Sequence, residues 1–435
     1  MPSRALDALI DTGKVGALAD DNGVWSFTYA PQWVAAPDSY PLSPHLPLGE
    51  APIVDSSSAR PVQWYFDNLL PEEGARVLLA KDAHVDAADA FGLLAYYGAE
   101  SAGSVTLTAA GTEPATGGGE RPLANAELQT RIEKLPQISL SAGARKRMSL
   151  AGAQHKLAVI YRDGELFEPV GSTPSTHILK PNHTDPDYPH TVANEYFAMR
   201  LAARLDLDVP SVHRLYIPAS VYLVERFDRE VTAAGVRRLH VIDACQLLNL
   251  DRAFKYREGS IARLAQLAET SSAPAASRIR LFSWLVFNVL IGNGDAHLKN
   301  LSFLVTHRGV ALAPAYDLLA VGVYDTPVFG KDRWPATELA WPLPDVRRFA
   351  DATGERLVAA ARELGLARAT ATRLLIRMAT RIAPVAQRLL EDILAENERL
   401  LAHHPERAAT LGGEARTLRA IVEGVIRDMA ARLQS

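Results

Sequence analysis

With 435 residues, 48% of them hydrophobic, the chain has the length of two to four domain-sized units and enough apolar material for a large core, which excludes a disordered polymer. Its 46 Lys and Arg against 50 Asp and Glu give a formal charge of −4, which argues against nonspecific nucleic-acid binding as the main activity; a DNA contact needs a local patch or another protein. No run approaches the roughly eighteen apolar residues of a membrane span, and MPSRALDALIDTG lacks an apolar signal segment, so a cytoplasmic protein with no membrane partner is expected.

Residues 1–120 read as an N-terminal, strand-rich subdomain. VGALAD and VWSFTYA flank Asp21-Asn22-Gly23, a strong hairpin signal; AADAFGLLAYYG reads as a short helix and SVTLTAA as a closing strand. GTEPATGGGERP, residues 111–122, is turn-rich and reads as a linker or exposed loop. Residues 121–235 form a second, sheet-rich lobe. LAVIYRDGELFEPV is a hairpin turning at Asp163-Gly164, STHILKP a strand, ANEYFAMRLAARLDL a helix, and VHRLYIP and VYLVERFD two further strands. Residues 236–435 are mostly helical in pattern. Cys245, in VIDACQLLNL, is expected as a buried small hydrophobe rather than a nucleophile. SRIRLFSWLVFNVLIG is too short to span a bilayer and is expected as a buried central helix, while the C-terminal helices carry apolar positions three and four apart and read as scaffold. Pro384 is expected to break or kink the middle one.

The central helix delivers Gly292-Asn293-Gly294-Asp295-Ala296-His297-Leu298-Lys299-Asn300, in which an aspartate precedes an asparagine by five positions, the spacing of a kinase catalytic loop. A carboxylate on a rigid loop can accept the proton of an attacking hydroxyl, and a side-chain amide oxygen a turn further on can hold magnesium against phosphates. A second carboxylate for the same metal stands at Asp317, after the strand-like VALAP run. Gly-Asn-Gly-Asp is also an ordinary turn composition. Lys299 is placed to neutralise the transferring phosphate or to fix Asp295; His297 lies beside the base but lacks the clustered ligands of a zinc site.

Lys180 ends the apolar strand THILK and is the best cation for the phosphates, with Glu195 on the following helix as the carboxylate to orient it; the plainer readings are a solvent-facing strand end and a helix N-terminal charge. Ser149-Leu150-Ala151-Gly152-Ala153-Gln154-His155-Lys156 offers backbone amides that can close over phosphates, yet fits neither a Walker-A nor a glycine-rich kinase pattern and by spacing alone is a flexible turn. Backbone groups around Glu225 to Phe227 can read an adenine edge and Asp228 the ribose hydroxyls, against the alternative of an edge-strand salt-bridge segment.

Taken in order, WYFDNLLPEEG, SLAGAQHK, STHILKP, NEY, LVERFDR, GNGDAHLKN and YDLL resemble the motifs of the HipA family of bacterial serine/threonine kinases, the toxins of type II toxin-antitoxin modules, over nearly the full length. The resemblance implies an α+β, bilobal protein-kinase-like fold with an added N-terminal β-rich subdomain and a mostly helical C-terminal lobe. It implies ATP and Mg2+ as cofactors, Lys180 at the phosphates, Asp295 as catalytic aspartate with Lys299 beside it, and Asn300 and Asp317 as metal ligands. Ala153, Gln154, His155, Lys156, Glu225, Phe227, Asp228 and His297 fall in the nucleotide-binding set, Glu195 in the ion pair with Lys180, and Ser149 matches the autophosphorylated serine, whose modification would add about −1.5 to −2 charge and expel the loop. His155 departs from the family, which commonly has an acidic residue there. The implied partners are a small helix-turn-helix antitoxin resembling HipB, operator DNA through that complex, and a protein substrate such as an aminoacyl-tRNA synthetase. A small-molecule kinase and a noncatalytic co-repressor subunit are the competing readings.

Overall fold

Asn22 and Gly23 both take positive φ, +54° and +87°, the left-handed pair that suits a two-residue hairpin loop to the twist of its strands. They join Gly13–Asp21 to Val24–Tyr29 in the computed structural model, which describes residues 3–112, 117–142, 144, 146, 150–152, 154–233 and 235–434. Asp163 and Gly164, at +53° and +85°, repeat the device between Leu157–Arg162 and Glu165–Gly171.

The chain divides into two compact units, neither continuous in sequence. The first comprises Met1–Pro181, Leu215–Lys255 and Ser302–Ala313; the second comprises Asn182–Arg214, Tyr256–Leu301 and Pro314–Ser435. This interleaving differs from three consecutive segments because Val241–Asp243 pairs with Ser302–Thr306, which pairs with Gly309–Leu312, drawing residues from beyond the central helix into the first unit.

The first unit holds a five-stranded antiparallel sheet ordered Ile53–Val54, Val24–Tyr29, Gly13–Asp21, Arg4–Ile10, Val105–Ala109. In a second sheet, Ser220–Glu225, His177–Pro181, Leu157–Arg162, Glu165–Gly171 and Gly118–Pro122 lie side by side. Gly118–Pro122 corrects the expectation of a loop over residues 111–122: its backbone pairs with Glu165–Gly171, and alternate exposure along GGERP is what an edge strand shows. Leu157, Val159, Leu179, Val221 and Leu223 pack this sheet against Leu123, Leu128 and Leu135.

The second unit is helical around Pro274–Leu290, whose Leu281, Phe282, Leu285 and Phe287 are buried. Arg368–His403 packs on it as one helix of 36 residues that continues through Pro384. The expected break there does not occur. A proline interior to a helix costs about 3 kcal/mol, and burial of Ile382, Val385, Ala386 and Leu389 on either side supplies more than that at about 1.5–3 kcal/mol for each large aliphatic side chain. Cys245 is fully buried in the first unit. No described helix is long and apolar enough to cross a membrane.

Candidate phosphoryl-transfer site

In the second unit, the loop carrying Asp295 is built by a relay of side-chain amides. Asn288 donates to the carbonyl of Trp284 at 2.8 Å, Asn293 donates to Oδ1 of Asn288 at 2.7 Å, and Asn293 Oδ1 accepts from the Asp295 N–H at 3.1 Å. Gly292 closes the preceding helix at φ +66°, where a Cβ would stand 2.8 Å from both the Trp334 ring and Val425 Cγ1, so no other residue fits. The Asp295 carbonyl accepts from the His297 N–H at 2.8 Å and from Asn300 Nδ2 at 3.0 Å. The structure thus brings Asp295 and Asn300 together, with the Asp295 side chain exposed and the Asn300 nitrogen turned to the backbone, leaving Oδ1 as the end of the amide that can face a cation. Lys299 and His297 are both more than nine-tenths buried. The hydroxyl of Tyr256 donates to Asp295 Oδ1.

Asp317 is held in place from three directions. Tyr316 Oη donates to the Lys299 carbonyl at 2.7 Å, the Ala315 N–H donates to the Asp208 carbonyl at 2.8 Å, and Asn194 binds both the N–H and the carbonyl of Ala320. Asp317 itself sits at φ +58°, outside any hairpin loop or helix cap, a conformation that costs an L-residue roughly 1–2 kcal/mol and that packed surroundings must impose. Among the described residues no group of three or more His, Cys, Asp or Glu is placed to hold a metal ion. One carboxylate with one amide oxygen nevertheless suits magnesium, which keeps several waters and takes its remaining ligands from substrate phosphates; Asn300 and Asp317 would hold it here. Glu195, on Thr191–Arg204, is almost fully buried in this unit.

In the first unit, Lys180 lies opposite Tyr222 in the antiparallel pair of His177–Pro181 with Ser220–Glu225, 4% exposed, with its ammonium 5.6 Å from the Tyr222 ring centroid. It is therefore not a solvated strand end; the aromatic face helps a buried cation. The neighbouring segment is pinned by Lys156 Nζ donating to the Ala151 carbonyl at 2.9 Å, by Gln154 Nε2 donating to the Pro181 carbonyl at 3.4 Å, and by the Glu72 N–H donating to the Gly152 carbonyl at 3.2 Å. Gly152, at φ +108°, would place a Cβ 2.6 Å from Lys156 Nζ. His155 is half-buried. Beside this segment a cavity of about 40 Å³, lined by Pro71, Leu150, Gln154, His155 and Lys156, has room for water rather than a nucleotide. Ser149 and Ala153 lie outside the described residues.

Glu225 is exposed and Phe227 half-buried, but Asp228 has a different setting from the one expected at a ribose. Its carboxylate accepts from Arg226 Nε at 2.9 Å, Arg226 Nη2 at 2.7 Å and the Gly103 N–H at 2.7 Å; its desolvation, which raises the pKa, is outweighed by the charges of Arg226 and Arg229 and by these hydrogen bonds, which hold it at about 2, below the usual carboxylate range. Next to it, Glu100 takes Lys146 at 2.6 Å, Arg229 at 3.1 Å, Arg226 at 3.4 Å and Arg238 at 3.5 Å. These four cations face two carboxylates. The surplus accounts for two shifts that pull against each other: Glu100 is held well below its ordinary pKa because its neighbours' charges outweigh its desolvation, whereas Lys146 is pushed down to about 8 by burial and by repulsion from Arg238 and Arg229, despite the pull of Glu100. A carboxylate so engaged braces this cluster, the salt-bridge setting that stood as the alternative to a ribose contact.

Two family models match the chain, the HipA N-terminal domain over residues 6–108 and the HipA-like C-terminal domain over residues 148–386. The chain belongs to the HipA family. It is 36% identical over 337 residues to the Sinorhizobium fredii protein Y4mE, covering 74% of this chain and 79% of that one. It is 32% identical over 332 residues to the serine/threonine-protein kinase toxin HipA of Shewanella oneidensis, covering 72% and 74%. The structure of Shewanella oneidensis HipA with HipB and operator DNA matches with a TM-score of 0.77 at 28% identity, over 97% of this chain and 99% of that one. The fold is accordingly α+β and protein-kinase-like with two lobes, a β-rich N-terminal subdomain and a mostly helical C-terminal lobe. Four positions in this HipA-family chain escaped sequence reasoning. Asn194 and Tyr316 brace the Asp317 segment, Glu100 organises the ion cluster, and Tyr256 touches Asp295. Asn194 and Tyr316 stand inside the NEY and YDLL motifs, so a signal for them existed; Glu100 and Tyr256 belong to no such pattern.

Proposed function

We propose that this chain is an ATP-dependent serine/threonine-protein kinase acting as the toxin of a toxin-antitoxin pair. The observation that carries the reading is the fixed Asp295–Asn300 loop, an exposed carboxylate on a braced backbone with an amide oxygen one turn on. In phosphoryl transfer the acceptor hydroxyl oxygen bonds to the γ-phosphorus as the bond to the bridging oxygen of ADP breaks, and the hydroxyl proton passes to Asp295. Lys180 and Lys299 offset phosphate charge. Magnesium, when bound through Asn300 and Asp317, supplies further charge neutralisation of the phosphates. Glu225, Phe227, His297 and the segment Ala153 to Lys156 complete the nucleotide contacts, and Ser149 is the proposed autophosphorylation site.

The proposed partners follow the Shewanella oneidensis assembly: a small helix-turn-helix antitoxin of the HipB kind, and operator DNA through it. With a formal charge of −4 on this chain, the antitoxin would carry most of the base readout. A cytoplasmic protein substrate such as an aminoacyl-tRNA synthetase fits the family resemblance. Incubation with magnesium and γ-labelled ATP tests the reading. Wild type should incorporate label, Asp295→Asn should lose at least about a hundredfold in rate while folding normally, and Ser149→Ala should lose most of the autophosphorylation. Unlabelled wild type, purified free of prior phosphate and supplied with antitoxin-free protein substrates, would reject it.

A further inference from the structure

Within the second unit the Gly322 N–H donates to the Gly292 carbonyl at 2.8 Å. Gly292 stands three residues before Asp295, at the head of the loop that also carries Asn300, and Gly322 stands five residues after Asp317. Their hydrogen bond therefore joins the two segments that bear the proposed metal ligands. Tyr316, next to Asp317, also binds the carbonyl of Lys299, next to Asn300, at 2.7 Å, so the pair of ligands is tied on both flanks.

The Trp334 ring occupies the space that a side chain at either glycine would need. A Cβ on Gly292 would stand 2.8 Å from Cη2 and 2.9 Å from Cζ3 of this ring, and a Cβ on Gly322 would stand 2.5 Å from Cε3 and closer still to the same Cζ3. Carbon atoms not bonded to each other rest about 3.5–4.0 Å apart, so neither glycine can carry a side chain while the ring keeps its place. That place is set from several directions. The Trp334 N–H donates at 3.0 Å to the carbonyl of Asp325, the last residue of the turn Val321–Asp325 that contains Gly322. The Pro335 carbonyl accepts from the Ala350 N–H at 2.8 Å, and the Phe349 ring packs on the indole with centroids 5.2 Å apart. The indole Nε1 is buried with no hydrogen-bond partner among the described residues, so what this side chain supplies here is its shape.

We propose that Trp334 is a positioning residue of the phosphoryl-transfer site, a role that rests on the kinase reading given above. By filling the gap beside Gly292 and Gly322 it sets how far the loop of Asp295 and Asn300 stands from Asp317, and with that the spacing of the magnesium ligands. Trp334 takes part in no bond-making step. Magnesium demands near-octahedral geometry with short, uniform ligand distances, so a change in the spacing of an amide oxygen and a carboxylate is felt first in the metal dependence. Phosphoryl transfer is governed by placement, and a misplacement of about 1 Å can cost roughly a hundredfold in rate.

Size complementation in the full-length protein tests this role. Gly322→Ala adds a methyl group against the ring, Trp334→Leu removes the ring atoms that the methyl would strike, and the double variant combines the two. Each is measured for maximal autophosphorylation rate with γ-labelled ATP, half-saturating ATP, half-saturating magnesium and thermal midpoint. Hydrogen exchange of the peptide spanning residues 318–326, without nucleotide or metal, adds a readout that needs no activity. Each single variant should lower the maximal rate about tenfold or more and raise half-saturating magnesium at least about threefold, with half-saturating ATP within about twofold of wild type. Exchange at the Gly322 amide should quicken in both. The double variant should regain at least about threefold in rate over Gly322→Ala and move its magnesium dependence back toward wild type. Should Gly322→Ala melt below the assay temperature, Trp334→Leu decides alone by the same rate, magnesium and exchange criteria. Unchanged magnesium dependence in folded single variants, unchanged exchange in Trp334→Leu, or a double variant no better than a folded Gly322→Ala overturns the positioning role while the kinase reading stands. A wild type that takes up no label overturns the kinase reading and the positioning role with it.

Discussion

Asn194 grips Ala320 at both polar ends of its backbone, its Nδ2 donating to the carbonyl at 3.2 Å and its Oδ1 accepting from the N–H at 2.8 Å. The same Nδ2 lies 3.2 Å from the Tyr324 hydroxyl. This fully buried amide is what anchors the stretch after Asp317 to the helix Thr191–Arg204. Asn194→Ala strands a buried donor and a buried acceptor, each worth roughly 1–3 kcal/mol when unsatisfied. The variant should lose about 2–4 kcal/mol of unfolding free energy in urea, and its half-saturating magnesium concentration for phosphotransfer should rise severalfold. Loss of stability with unchanged magnesium dependence would separate Asn194 from the proposed metal site.

Asp317 combines two properties that substitution can pull apart, a carboxylate and a left-handed backbone at φ +58°. Asp317→Gly removes the carboxylate and relieves the backbone, so it should unfold at the wild-type midpoint or above it. Asp317→Ala removes the carboxylate and keeps a Cβ, and should be less stable than the glycine variant by about 1 kcal/mol. Both should lose magnesium-dependent phosphotransfer by at least about a hundredfold. Thermal unfolding and labelled-ATP assays on the pair decide it; a glycine variant that retains turnover would remove Asp317 from the metal ligands.

The parts of this molecule that sequence reasoning reached are those set by short-range chemistry. Asn22-Gly23 and Asp163-Gly164 need positive φ at adjacent residues, and the apolar run ending at Leu290 can only be buried. Asp295 and Asn300 were legible because their five-residue separation is itself the geometry, held by one side-chain hydrogen bond. What stayed hidden depends on distant partners. Nothing in GGERP marks it as a strand until Glu165–Gly171 lies beside it, and nothing around Pro384 reveals that its helix is held by packing strong enough to outweigh the missing hydrogen bond. The setting of Asp228 stayed hidden for the same reason: its hydrogen bond from the Gly103 N–H comes from 125 residues away.

Glu100 has no exposed side-chain surface and faces Lys146, Arg226, Arg229 and Arg238. Glu100→Gln leaves four buried cations with Asp228 as their remaining carboxylate in the cluster, and should cost about 3–5 kcal/mol of stability in urea unfolding. Adding Lys146→Met to that variant removes one unbalanced charge and should recover part of the loss, giving a coupling energy above about 1 kcal/mol in the double-mutant cycle. Independent, additive effects would mean that the cluster is not a single electrostatic unit.

His240 carries the acid sensitivity expected between pH 6.5 and 4. Its Nε2 lies 2.9 Å from the Leu42 carbonyl, which can only accept, so Nε2 bears the proton and Nδ1 accepts from Ser104 Oγ at 3.2 Å. Burial pushes its pKa down to about 4 from the ordinary 6.5. The unfolded chain therefore binds a proton at this site below about pH 6.5 while the folded chain does not until about pH 4, so stability falls as pH drops through that window, by on the order of 3 kcal/mol in all. His45 and His190 are also shifted down by burial and contribute in the same direction. The His240 share is isolated by His240→Gln, whose side chain can donate to Leu42 and does not titrate. Urea unfolding at intervals from pH 7 to 4 should show a shallower acid slope for the variant by close to one proton, and parallel slopes would place the titration elsewhere.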